Sequence, residues 1–463
     1  LLYERNELKD RESVIKITKR IIELGKKYNK PVVATGEVHY IYENEKKYRE
    51  VLQCSGRTKN IAMIQPSYYF RNTKQMLDEF NFLDKDLAYE IVVKNAQKIA
   101  ELVEKISLYP EHPENKTTFS PFWETAADDI KTMSYQTAEN YYGSPLPKVV
   151  EKRLEKELNS ILGYGYATLY SIAQKLVENS LKNGYLVGSR GSVGSSLVAT
   201  MCNITEVNPL PAHYRCSECR YTEFVTDSDI KVGLDLPEKL CPKCGKKLIQ
   251  DGFDIPFEVF LGFKGDKVPD IDLNFSGDYQ AKAHAYVEEL FGKGYVFRAG
   301  TITGLQDKTA KMYVDDYVSL KEEAALDVGK RFRLSRAEQQ ELIYGCVGVR
   351  KTTGQHPGGM VILPKQYNIN QFTAIQHPAD DVKSDIITTH YDFASMHDIL
   401  VKLDILGHDD PTMIYRLEKW TGVKYKDIPL NDSKVISLFS SPKALGVEAE
   451  DINNIKTGTL GVP

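Results

Sequence analysis

The sequence predicts a multidomain chain of mixed α/β and α+β class. Three observations predict it. The 463 residues are enough for about two to four domains with real cores. The chain opens with a helical pattern followed by an apolar strand, the rhythm of an α/β barrel. Further along, short apolar strand-like segments alternate with long helical patterns and glycine-rich turns. We find no internal repeat, heptad pattern or low-complexity tract.

Residues 13–28 set Val14, Ile15, Ile17, Ile21, Ile22 and Leu24 among lysines and arginines, an amphipathic helix that Lys30-Pro31 ends. Residues 31–40 then read as a buried strand with polar groups at its C-terminal end. Barrel sites sit at that end, so His39 is a candidate metal ligand there, against the reading of an ordinary surface histidine. A second helical pattern covers 86–107 through Ile91, Val92, Ala96, Ile99, Leu102 and Ile106. The polar, turn-rich residues 109–115 mark a boundary. Helices are predicted at 148–162 and 167–182, the second closing at Asn183-Gly184.

A strand, Tyr185-Leu186-Val187, next runs into Gly188-Ser189-Arg190-Gly191-Ser192-Val193-Gly194-Ser195-Ser196, and a helix-like segment follows over Leu197–Met201. Strand, Gly/Ser loop, helix is the order that presents bare backbone N–H groups and a positive helix end to an anion. The loop is not of the Walker type, because no Lys precedes Ser195, and its glycines do not fit G-x-G-x-x-G. A flexible surface loop is the competing reading; the element order and Arg190 favour phosphate.

Four of the seven cysteines form two Cys-x-x-Cys pairs, Cys216/Cys219 and Cys241/Cys244, separated by a hairpin length. Each pair bites one side of a tetrahedral ion, which predicts one structural Zn2+ with no open position for catalysis. Cys54, Cys202 and Cys346 are isolated. An odd count with clustered pairs argues for a reducing compartment, with cytoplasm the default.

In the apolar segment from Val268 to Phe275, Asp270 and Asp272 stand two residues apart. A strand repeats every two residues, so both project from one face. Like charges held together are best tolerated with a cation between them. Asp404 lies in a second such segment, Ile399–Gly407, and three acidic side chains on adjacent strands suit two Mg2+ ions and in-line phosphoryl displacement. The alternating Asp270, Asp272, Asn274, Ser276 and Asp278 are not an EF-hand, because Phe275 stands where Gly is required and Ala281 where Glu is required. A solvated strand face is the competing reading.

Residues 300–345 are rich in Lys, Arg and Glu and read as mostly helical; Lys308 and Lys311 share a face suited to a nucleic-acid backbone, or to plain solvent. Residues 354–364 read as a glycine-rich turn leading to apolar Met360–Leu363. His356, with Arg350 and Lys351 upstream, suits phosphate contact, or a turn that merely caps a strand. The net charge of −4 means any such basic surface is local, and no apolar run approaches a membrane span. The ends, Leu1 without an initiating Met and Pro463 without a closing element, read as those of an internal segment of a longer chain.

Four stretches in this order carry a resemblance: Gly188 to Ala199, Pro269 to Phe275, Thr353 to Gly359 and Val401 to Pro411, with the four-cysteine insert between the first two. With them the chain resembles, over essentially its whole length, the PolC-type alpha subunits of bacterial replicative DNA polymerase III. The resemblance implies a DNA polymerase beta-like nucleotidyltransferase palm with a zinc-binding insert, a helical thumb and a partial PHP α/β barrel. It implies the end of the PHP domain at 1–113, the first part of the palm at 114–300 with the zinc module at 215–248, a thumb at 301–352, the second part of the palm at 353–408 and the start of the fingers at 409–463. It implies Asp270, Asp272 and Asp404 as the catalytic pair-of-Mg2+ ligands, and Gly188, Ser189, Arg190, Gly191, Ser192, Gly194 and Ser195 as the grip on the incoming triphosphate. The family often has Asn or Asp where this chain has Glu37, and the early histidine-rich strands of the barrel and its inserted exonuclease are not in this chain. Any further metal in the barrel remnant would have His39 as one ligand. Implied partners are primer-template DNA and deoxynucleoside triphosphates, and a sliding clamp and replisome proteins through other regions, in a cytoplasmic, nucleoid-associated enzyme. Two readings of other classes compete: a zinc-containing scaffold that binds DNA without Mg2+-dependent extension, and a barrel phosphoesterase that needs His39 and not Asp404.

Overall fold

The computed structural model describes residues 10–54, 67–112, 118–225, 229–262, 271–396, 399–449 and 455–459. The chain divides into two units: Leu1–Leu108 with Ile302–Thr353, and Tyr109–Thr301 with Gly354–Pro463.

The first unit begins with α1 (Arg11–Lys27), as its pattern predicts. The Asp10 carboxylate caps it by accepting from the Ser13 amide at 2.8 Å, and Lys26 and Lys27 close its negative end. The strand expected at 31–40 does not form. Only Tyr40 makes a bridge, to Tyr69. Among the described residues this segment has no neighbouring strand, and its backbone is satisfied one bond at a time. The Ala34 amide donates to Ile91 O, Asn95 Nδ2 donates to Val32 O, and the His39 amide donates to Tyr68 O. Next come α2 (Lys46–Cys54), α3 (Thr73–Glu79), α4 (Lys85–Tyr89) and, after a π-helical turn at Glu90–Lys94, α5 (Asn95–Glu101). The helix expected to reach 107 stops six residues short; Leu102 and Ile106 are 78% and 76% exposed and have nothing to pack on.

The second unit opens with α6 (Ala126–Tyr142), α7 (Lys148–Gly163) and α8 (Ala167–Lys182). The last two match their predicted spans, since Leu154, Ile161, Ile172 and Leu176 recur at helical spacing and are fully buried. Each such side chain contributes about 1.5–3 kcal/mol. The chain turns at Gly184 (φ +85) into β1 (Val187–Arg190), then reaches α9 (Leu197–Met201), all of whose residues are buried. The cysteine insert supplies β2 (His213–Arg215), β3 (Thr222–Phe224) and β4 (Ile249–Asp251), an antiparallel sheet in the order β3-β2-β4.

After α10 (Glu258–Leu261) come β5 (Asp272–Ser276), α11 (Gln280–Phe291) and β6 (Val296–Gly304). The charged region then yields α12 (Asp307–Asp327) and α13 (Arg336–Cys346), which bury Ala310, Val314, Leu342 and Ile343 with Val51 and Cys54 of α2 in the core of the first unit. The remaining strands are β7 (Arg350–Ile362), β8 (Ile375–Gln376), β9 (Thr388–Asp392) and β10 (Val401–His408), followed by α14 (Asp409–Thr421) and α15 (Ser433–Ser437). The seven-stranded sheet has the order β1-β5-β10-β7-β6-β9-β8 and is mixed. Its centre pairs β5 with β10 in parallel, flanked by β1 and β7 running antiparallel to them. Apolar Leu273, Phe275, Leu403 and Ile405 face the core and leave the alternate positions to the site.

Candidate active site

Four residues share one level of the sheet. Asp272 pairs in register with Asp404 across the parallel β5–β10 ladder; Arg190 lies opposite Asp272 on β1, and Gly359 lies opposite Asp404 on β7. Adjacent strands are about 4.8 Å apart, so two carboxylates at one level are within reach of one divalent ion. Asp270 lies outside the described residues.

The residues predicted as a glycine-rich turn at 354–364 are strand: β7 continues through to Ile362. Glycine is needed there for close approach, not for turning. A Cβ on Gly358 would lie 2.6 Å from Asp404 Oδ1 and 2.7 Å from Ile405 O, and one on Gly359 would lie 2.7 Å from His356 Nδ1. His356 shares this neighbourhood, with Nδ1 3.9 Å from Asp404 Oδ1. That nitrogen accepts from the Gly359 amide at 2.7 Å and the Gly358 amide at 3.3 Å. An acceptor Nδ1 places the imidazole proton on Nε2. The ring stacks on Phe393 at 4.4 Å, and Lys402 Nζ lies 3.8 Å from the Phe393 centroid, a cation–π contact.

The Gly/Ser segment differs from its prediction in two ways. Its first residues, Gly188, Ser189 and Arg190, are the end of β1, and Gly191–Ser195 is one 3-10 turn entered at Gly191 with φ +71. Ser195 is 2% exposed and donates its hydroxyl to Ser192 O; Gly194 packs against Val207. Gly191 and Ser192 remain accessible. The second difference is at α9. Its positive end already holds an anion, the fully buried carboxylate of Glu157 on α7. Glu157 accepts from the Leu197 and Val198 amides at 3.0 Å each and from Ser196 Oγ at 2.9 Å. Arg153, one turn back on α7, pairs with it and donates through Nη2 to Ser195 O at 2.7 Å and Ile255 O at 3.0 Å. Burial pushes the Glu157 carboxyl up, and the Arg153 guanidinium and the two amides oppose it. Neither residue stands out in the sequence, because apart from their own i,i+4 pair their partners lie 39 or more positions away.

The four cysteine sulfurs lie within 4.8 Å of one another, with Cys216–Cys244 and Cys219–Cys241 at 3.4 Å. Zn–S bonds of about 2.3 Å at tetrahedral angles require sulfurs about 3.8 Å apart, so the donor set fits that ion. Two tight knuckles aim the thiols. The Cys216 amide donates to Tyr221 O and the Cys241 amide to Lys246 O, with Gly245 at φ +72. Backbone amides of Cys219 and Glu218 bring the Cys216 thiol down to about 6, favouring the ligating thiolate.

His39 is exposed, and its Nε2 meets Glu37 Oε1 at 2.9 Å. Among the described residues the cysteines are the only group of three or more metal-capable side chains, so no ligand set forms around His39. Lys308, Lys311, Arg350 and Lys351 are exposed and belong to the first unit; Lys351 lies over the Tyr313 ring. Among the described residues no helix is long and apolar enough to cross a membrane.

The site thus combines a mixed sheet, acidic residues in register on its central parallel strands and a Gly/Ser turn at its edge. The chain belongs to the family described as the bacterial DNA polymerase III alpha NTPase domain, whose model matches residues 128–407. It is 51% identical to the protein named DNA polymerase III PolC-type of Clostridium perfringens over 100% of this chain and 31% of that protein. It is 53% identical to the protein of the same name from Caldanaerobacter subterraneus, over 100% of this chain and 32% of that one. The Bacillus subtilis protein of that name is 50% identical, over 100% of this chain and 31% of its own length. The chain thus spans under a third of these curated relatives.

Proposed function

We propose that the chain is the catalytic-centre segment of a bacterial replicative DNA polymerase, adding deoxynucleotides to a primer 3'-hydroxyl under template direction. The observation that carries this reading is the register of Asp272 with Asp404 on adjacent parallel strands. Asp270, Asp272 and Asp404 would hold two Mg2+ ions. When bound, these ions lower the pKa of the primer hydroxyl and neutralise the pyrophosphate leaving group. Arg190 and the exposed backbone of Gly191 and Ser192 meet the triphosphate, while Ser189, Gly194 and Ser195 shape the turn. Ser189 does so through its hydroxyl contact with Thr205 at 2.7 Å. His356 offers its Nε2 proton to a phosphate oxygen near the Asp404 end. Base pairing selects the nucleotide, and the protein contacts shape and backbone.

In this reading residues 114–300 and 353–408 are palm, 301–352 thumb, 1–113 the end of a PHP domain and 409–463 the start of the fingers. Lys308, Lys311, Arg350 and Lys351 hold the duplex backbone. The four cysteines bind one structural Zn2+. Substrates are deoxynucleoside triphosphates and primer-template DNA, and the setting is cytoplasmic; clamp and replisome contacts belong to the rest of the whole polymerase. Primer extension by the complete polymerase tests the reading. Asp272→Asn, which removes one metal-binding charge and no core volume, should abolish incorporation with the melting temperature retained. Extension at the parent rate would defeat the assignment.

A further inference from the structure

The β7–β10 ladder ends at Asp404↔Gly359. The next level stays close beside the Asp404 carboxylate, since a Cβ on Gly358 would lie 2.7 Å from Ile405 O. Ile405 O and Pro357 O lie just past this level, and a backbone carbonyl buried without a donor is costly. One side chain donates to both. Gln280, the first residue of α11, donates its Nε2 hydrogens to Ile405 O at 2.8 Å and Pro357 O at 3.0 Å. Its other amide atom is packed as closely: a Cβ on Gly407 would lie 2.6 Å from Gln280 Oε1. One helical turn further on, His284 is 3% exposed and lies against the backbone of Gly358 and Ile405.

Ile405 directly follows Asp404, and Pro357 directly precedes Gly358, whose missing Cβ makes room for Asp404 Oδ1. Gln280 therefore bridges the two strands just past the Asp404↔Gly359 level, beside the carboxylate. We propose that Gln280 is a positioning residue for metal binding, setting the separation of β7 and β10 and through it the placement of Asp404 against Asp272. The inference rests on the polymerase reading of this site. Gln280 touches neither substrate nor metal in it, and acts only through Asp404.

The test is steady-state and Mg2+-titrated primer extension by the complete polymerase carrying Gln280→Leu or Gln280→Glu, with thermal unfolding measured alongside. Leu removes both donors at similar length. Glu keeps shape and volume but turns an acceptor toward two carbonyls. A displacement of the carboxylate by a fraction of an ångström should lower kcat about 10- to 100-fold. The Mg2+ concentration giving half-maximal rate should rise, the KM for nucleotide should stay within about two-fold, and excess Mg2+ should recover part of the rate. A structural role alone would lower the melting temperature and leave the Mg2+ dependence unmoved, and that result overturns the proposal. If Gln280→Leu fails to fold, Gln280→Glu decides by the same Mg2+ titration. Asp404→Asn separates the two failures: retained extension in that variant sinks the polymerase reading, whereas a dead Asp404→Asn beside a parent-like Gln280→Glu sinks the Gln280 role alone.

Discussion

The least substantial side chain at the site is among the most constrained. Gly358→Ala would push a methyl to 2.6 Å from Asp404 Oδ1, with Ile405 O equally close. Neither neighbour is the free end of a flexible chain, so the strand must move. We expect a stability loss of about 1–3 kcal/mol and a fall in extension rate larger than that loss explains, read from melting temperature and kcat together. His284 yields a prediction of pH dependence. Burial holds its imidazole down to about 4 from the ordinary 6.5, with Arg298 adding to the effect. The unfolded chain takes up a proton near 6.5 and the folded chain only near 4. Stability from this residue is therefore complete above pH 6.5 and is lost as pH falls from 6.5 toward 4. His284→Leu should flatten that part of the melting-temperature profile. The strand positions of Asp272 and Asp404 were legible in the sequence because both lie in short apolar segments. Gln280 was not, since its partners lie 77 and 125 positions away and no local pattern marks it.

Among elements, the helices were read best. α7 and α8 each bury a continuous apolar stripe, a signal contained within one segment. Strands fared worse where their character depends on a neighbour. Residues 31–40 have strand composition and no partner strand among the described residues, whereas 354–359 have turn composition and run extended in β7, which lies between β10 and β6 in the sheet. The Gly/Ser turn shows a similar dependence, because α7 fixes it from outside. Removing one partner of a buried ion pair leaves the other charge uncompensated, so Arg153→Leu should cost about 3–5 kcal/mol. A thermal melt of the complete protein checks this, and a variant within 1 °C of the parent would contradict it. Arg153→Leu with Glu157→Gln should be milder than Arg153→Leu alone, because the stranded charge is gone.

For the molecule as a whole, the cysteine module was the most legible feature, because its ligand spacing is local and the fold only has to close the hairpin. Four sulfurs around one ion would leave no coordination position for substrate. Stripping the ion with a strong chelator should lower the melting temperature of the second unit, and Zn2+ should restore it. A melting temperature indifferent to chelation would remove the structural role. The division into two units was only partly visible: the turn-rich boundary near residue 109 could be read, but nothing local signals that 302–353 groups with the N-terminal segment. The Glu157 carboxylate at the start of α9 also has a kinetic meaning. It is a resident counter-ion, so the neighbouring turn is held in shape by the fold itself, with no bound ligand. The conformational entropy of that segment is lost once, during folding, and not again at each encounter. If the proposed nucleotide contact is made there, the turn presents the same shape at every encounter.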